Sequence, residues 1–158
     1  MAAPTVTARV KPSGFKLPDG YRSTWAFALK PAIQLWEKTV KPPGVDGGAA
    51  IDQTTMHNDA WRTVAPRSLK TLTESSFKFA YDPDAYPDII AMVNIQQSIT
   101  CHEPDGSAIA IYGFLQKVEF DPLEEGKQPE GTATVTPTNY DPVNNIEAGP
   151  LFVPAAGT

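Results

Sequence analysis

Proline punctuates this chain from end to end: 16 of its 158 residues are proline, about twice the usual share. A proline inside a helix removes a backbone donor and clashes with the preceding turn, at a cost of about 3 kcal/mol. Prolines scattered so densely exclude a long-helix bundle or a coiled coil. Short strands joined by turns tolerate them, so the expected fold class is mainly β. The length suits one domain spanning residues 1–158, able to bury roughly two-thirds of the surface of its unfolded chain. Apolar residues at 41% and charged residues at 20% exclude wholesale disorder.

The formal charge of −5 argues against a protein that grips nucleic acid through phosphates, which requires clustered Lys and Arg. It equally disfavours an anionic membrane surface. The one cysteine, Cys101, cannot form an intramolecular disulfide, so no oxidising compartment is implied. The first residues contain no apolar run of signal-peptide length, and nothing approaches the ~18 apolar residues of a membrane span. The expectation is a soluble protein that matures in a cytoplasm.

Residues 1–20 are polar and rich in proline and glycine, and read as a flexible arm. YRSTWAFALK then alternates, with Tyr21, Trp25, Phe27 and Leu29 on one face of a half-buried strand. Pro31 interrupts it, and IQLWEKTVK resumes an extended pattern. Residues 41–67 show no sustained period yet carry Val45, Ile51, Met56, Trp61 and Val64. A loop this long is uncommon in a compact domain unless it is functional or disordered. It reads as a long arm whose apolar residues need a surface to cover. SLKTLTESSFKFAY reads as one bent strand or a pair, with Phe77, Phe79 and Tyr81 on one face.

A single short helix is expected within residues 82–94, with Tyr86, Ile89, Ile90 and Val93 as its apolar stripe and its regular part starting near Pro87. A hairpin follows around Pro104-Asp105-Gly106. In its second strand Ala108, Ala110, Tyr112, Phe114, Val118 and Phe120 share a face, interrupted at Gln116. Ile109, Ile111 and Leu115 lie opposite. GTATVTPT reads as the final strand, and residues 139–158 as a second flexible arm.

No constellation supports catalysis, a cofactor or a metal. His57 and His102 lack a spaced Cys/His set, and the adjacent Cys101 and His102 point to opposite faces of a strand. Asp82, Asp84 and Asp88 lack the glycine and closing Glu of a calcium loop. The acids around Glu124, Glu125 and Glu130 sit in a turn containing Gly126 and Pro129, as solvated charge does.

The order of segments is more telling. KPPGVDGGAAIDQTTMHNDAWRTVAPRSL between strands is followed by SSFKFAYDPDAY, the hairpin, IYGFLQKVEF and PTNYDPVNNIEAGP. This arrangement resembles the tail tube (major tail) protein of long, non-contractile-tailed bacteriophages, over roughly residues 25–150. The resemblance implies a β-sandwich or barrel-like fold with one flanking helix, and a non-enzymatic subunit. Homo-hexameric rings would stack into a hollow tube that conducts double-stranded DNA, as non-specific cargo, during ejection into the host. Its partners would be further copies, the tape measure, the tail tip and the tail terminator. Its place would be the virion tail, assembled in the bacterial cytoplasm. The long loop would contact a neighbouring subunit through Val45, Asp46, Ile51, Met56, His57, Trp61 and Arg62. Candidates for an acidic channel wall are Asp46, Asp52, Glu74, Glu119, Glu124 and Glu125. The alternatives are the tube protein of a contractile injection system, a carbohydrate-binding β-sandwich using Trp36 or Trp61, and a capsid decoration protein.

Overall fold

Alternation of apolar and polar residues governs the main sheet. The computed structural model describes residues 22–33 and 35–155, together with Pro4; the expected arm over residues 1–20 otherwise lies outside them, as does Tyr21. Strand β1 is Thr24–Phe27 and β2 is Trp36–Lys41. Four short strands follow: β3 (Val45–Asp46), β4 (Ile51–Asp52), β5 (Val64–Ala65) and β6 (Thr71–Leu72). Then come β7 (Ser75–Ala80), helix α1 (Tyr86–Ala91), β8 (Gln97–His102), β9 (Ala108–Phe120) and β10 (Glu130–Pro137). The last are β11 (Tyr140–Asp141), β12 (Ile146–Glu147) and β13 (Leu151–Val153).

One antiparallel sheet carries the fold, in the order β1-β8-β9-β10-β7-β2, with β13 beside β9 where β10 does not reach. It curls into a half-barrel. Among the described residues no strand pairs with the outer edges of β1 and β2, and a side chain bridges them: the Trp25 N–H donates to Glu37 Oε1 at 3.1 Å. The inner face is apolar. Phe77 stands at its centre, with ring centroids 6.0 Å from Trp25, 6.0 Å from Phe27 and 5.7 Å from Phe79. Ile99, Ile111, Leu115, Ala133 and Val135 complete it, all buried. Burying each large side chain there contributes about 1.5–3 kcal/mol.

Helix α1 packs on the core through Ala85, Ile89 and Met92. The expected stripe is therefore rotated: Ile89 is on it, but Tyr86 and Ile90 are exposed. The cause lies at the helix start. Pro87 occupies the first turn, no side chain caps it, and residues 82–85 form a turn in which Asp82 O accepts the Ala85 and Tyr86 N–H groups. The helix is six residues long, inside the span expected.

Three further expectations are corrected. On β1 the strand ends at Phe27, so Leu29 leaves the core face and is exposed. On β9 the inner face is Ile109, Ile111, Gly113 and Leu115 and then Val118 and Phe120, as their cross-strand partners show. A bulge produces the switch: Val135 pairs with Leu115 and Thr134 with Lys117, leaving Gln116 over and inverting the alternation. Finally, β10 is not the last strand, because β11 and β12 form a small hairpin and β13 returns to β9. Phe79 belongs to the core, whereas Tyr81 is half-exposed beside Tyr86 and Phe120.

Candidate assembly interfaces

Residues 41–67 hold a ladder rather than an irregular loop. β3 pairs with β6 through Val45↔Leu72 and Asp46↔Thr71, and β4 pairs with β5 through Ile51↔Ala65 and Asp52↔Val64. The two rungs make a ribbon. Its root is fixed by reciprocal bonds between Gly44 and Thr73: the Thr73 N–H donates to Gly44 O, and the Gly44 N–H to Thr73 Oγ1, each at 2.9 Å. Leu72 is the ribbon's buried anchor. Between the rungs the chain kinks at Gly48, whose φ of +80° suits a residue without a Cβ. Asp46 Oδ1 accepts its N–H, and Arg67 Nε donates to Ala49 O, holding the kink.

The ribbon's tip is ordered by its own polar groups. Asn58 Oδ1 accepts the Thr55 N–H at 2.9 Å, and Asn58 Nδ2 donates to Trp61 O at 2.8 Å. Asp52 accepts the Thr54 N–H and lies 3.4 Å from Arg62 Nη1; hydrogen bonding from the Thr54 side chain and then from its N–H lowers the Asp52 pKa. These bonds present Met56 and Trp61 to solvent, 100% and 83% exposed. Val45, Ile51 and Val64 are exposed along the ribbon. Trp61 therefore forms no part of the chain's own core. The seven residues expected to meet a neighbour, from Val45 to Arg62, all lie on this ribbon.

The sheet's outer face is chemically distinct. Cross-strand neighbours place Ser76, Lys78, Ser98, Thr100, Lys117, Glu119, Thr132 and Thr134 on it, with Ala110, Tyr112, Phe114 and Leu151 on the part nearer β8 and β13. Its charges are largely paired. Glu130 bridges Lys38 on β2 and Lys78 on β7, the latter at 2.9 Å. Lys78 also lies 3.5 Å from Asp121, and Lys117 lies 2.6 Å from Glu119. The hydrogen bonds from Lys38 and then Lys78 hold the Glu130 carboxyl down at about 2. The same carboxylate raises the Lys78 ammonium above its ordinary value.

The six candidate wall acids are not brought together. Asp46 and Asp52 sit on the ribbon, Glu74 between β6 and β7, and Glu124 and Glu125 in the turn after β9. Only Glu119 lies on the outer face. Sequence reasoning missed the paired set of Lys38, Lys78, Glu130 and Asp121, because its members are far apart in the chain. The hydroxyl-bearing alternation of GTATVTPT was the available signal.

Among the described residues no three His, Cys, Asp or Glu side chains converge on a point that could hold a metal ion. Asp82 instead accepts hydrogen bonds from Trp36 Nε1 and the Asp84 N–H, and Asp88 pairs with Lys30. Cys101 is buried and His102 exposed on successive positions of β8; burial, with the charge of Glu103, pushes the thiol up to about 11. No described helix is long and apolar enough to cross a membrane.

The fold is one found in large multi-protein particles of phage type. A chain from the virion of a native gene transfer agent particle superimposes with a TM-score of 0.63, covering 87% of this chain and all of that one at 10% identity. A chain from the six-fold symmetrised baseplate of the anti-feeding prophage does so at 0.60, covering 90% of this chain and 99% of that one at 6% identity. No protein-family model matches the sequence, and no curated protein does. At such identities the likeness is one of fold.

Proposed function

We propose that this chain is a structural subunit of a phage-type tail tube, assembling as six-membered rings that stack around a channel. The observation that carries the reading is the ribbon arm, which projects Met56 and Trp61, 100% and 83% exposed, from a domain that does not need them for its core. Side chains of that size left in water forgo about 1.5–3 kcal/mol each, and an assembly recovers it. The two neighbours described above come from a virion particle and a baseplate, which supports the same reading.

In this proposal the edges of β1 and β2, spanned by one side-chain bond and paired with no described strand, are liabilities in a free sheet and meet the edges of neighbouring subunits in a closed ring of unlike patches. The polar part of the outer face, with its serines, threonines and paired charges, lines the channel. A wall with few unpaired cations lets a phosphate polyanion slide, where a basic wall would hold it. DNA is conducted cargo, and the tape measure, tail tip and terminator are the other partners, in the virion tail.

Negative-stain microscopy of the concentrated protein tests the reading. The expected result is stacked rings whose mass corresponds to six chains. A monomer that never polymerises, even with tail-initiation components added, overturns it. The baseplate neighbour favours a second reading, the tube of a contractile injection system. Co-assembly with a sheath subunit on the tube's exterior separates it from the non-contractile type.

A further inference from the structure

The root of the arm is flanked by a cleft of about 560 Å³, and we propose that this cleft seats the arm tip of a second copy of the chain. The inference rests on the tube reading and names the contact that would link one subunit to the next. The cleft lies between the root of the ribbon and the segment following β12. Val45, Leu69, Leu72 and Pro150 supply its apolar wall, with Lys70 and Glu147 among its polar lining. Val45 and Leu69 are 62% and 80% exposed in the single chain.

Three observations select the arm tip of another copy as occupant. The chain's own tip is held away from its own root. The rungs at Val45↔Leu72 and Ile51↔Ala65, continued by the Gln53 N–H to Thr63 O, stiffen the ribbon on either side of the Gly48 kink, and neither Met56 nor Trp61 lines the cleft. At ~3.3 Å per residue the tip stands up to roughly 30 Å beyond the root. An uncovered apolar tip and an uncovered apolar cleft on one chain, out of each other's reach, are covered together by a head-to-tail contact between copies.

One opposite-charge pairing is also available. Lys70 lines the cleft and Asp59 lies between Met56 and Trp61 in sequence, and neither has an ion-pair partner among the described residues. Finally, the tip is already ordered by the bonds of Asn58 to Thr55 and Trp61. It therefore docks with little loss of conformational freedom.

The test is disulfide trapping in the full chain, whose native Cys101 is buried. A Met56→Cys/Leu69→Cys double variant is oxidised at assembling concentration and run on a non-reducing gel. The expected result is a ladder of covalent dimers, trimers and larger species, with single variants stopping at dimers. A matched control combines Met56→Cys with Leu123→Cys, an exposed position away from the cleft, and is expected to give no ladder. A double variant that stays monomeric, or ladders no better than the control, overturns the assignment. This covers the cases in which residues 1–21 of the same chain or a small apolar ligand fill the cleft.

A charge exchange adds a second readout. Asp59→Lys alone is expected to slow assembly about tenfold, and Lys70→Asp in the same chain to restore it; no restoration counts against the pairing. Stacked rings without the ladder would leave the tube reading standing and remove the cleft contact. A ladder without rings would do the reverse.

Discussion

Glu130 does the work of two ion pairs, and its titration is the clearest handle on this fold. Its folded value of about 2 lies below the ordinary 4.5. A carboxyl depressed in this way contributes stability that is present above the ordinary value and lost as pH falls through the folded one. Urea midpoints of the protein should thus decline between about pH 4.5 and 2, and Glu130→Gln should flatten that part of the profile. Parallel profiles would show that the bridge contributes nothing. A second residue-level expectation concerns Gly113, where a Cβ would stand 2.6 Å from Thr136 O and 3.2 Å from Pro137 Cα. Backbone cannot yield as a flexible side chain does, so Gly113→Ala should destabilise by about 1–3 kcal/mol in chemical denaturation. The core was legible at this scale: Trp25, Phe27, Phe77 and Phe79 follow strict alternation and are buried. The faces of β9 were not, since a bulge is a property of pairing that one strand's pattern does not display. The interruption at Gln116 was its trace.

At the scale of elements, the ribbon is separable from the body. Leu72 is its one residue in the core cluster; its strands pair with one another and with no strand of the main sheet. Replacing residues 47–67 by a short turn should leave a domain with the parent's cooperative thermal transition, shifted by no more than a few degrees, that forms no tube. Loss of the transition would mean that the body depends on the arm. Amide exchange of the intact protein gives an independent measure, with tip protection expected to rise on assembly and that of β7 and β10 to stay the same. The arm's existence was readable from its lack of period, but its ladder was not. Its strands are two residues long and almost wholly exposed, so no burial imposes alternation on the sequence. Helix α1 shows the complementary limit. Its apolar residues were visible, but Pro87 and the turn before it set which of them face inward.

For the whole molecule, the mainly β class, the one short helix of the described residues and the place of the long excursion followed from proline spacing and alternation. The curl of the sheet did not, because it depends on pairings between strands far apart in sequence. On the tube reading the outer face sets what the channel tolerates. Adding unpaired cations there with Thr132→Lys and Thr134→Lys should make assembled tubes retain fluorescent duplex DNA at low salt and release it as salt rises. Wild-type tubes should retain little at either. Equal retention by both would remove this face from the channel. The arm carries a mechanical corollary. A stack joined through ribbons resists stretching along their hydrogen-bonded ladders, yet yields to bending where the ladder is broken. That break falls at Gly48, between the two rungs. A filament jointed there would concentrate its compliance between rings and bow under load while each ring kept its circular bore.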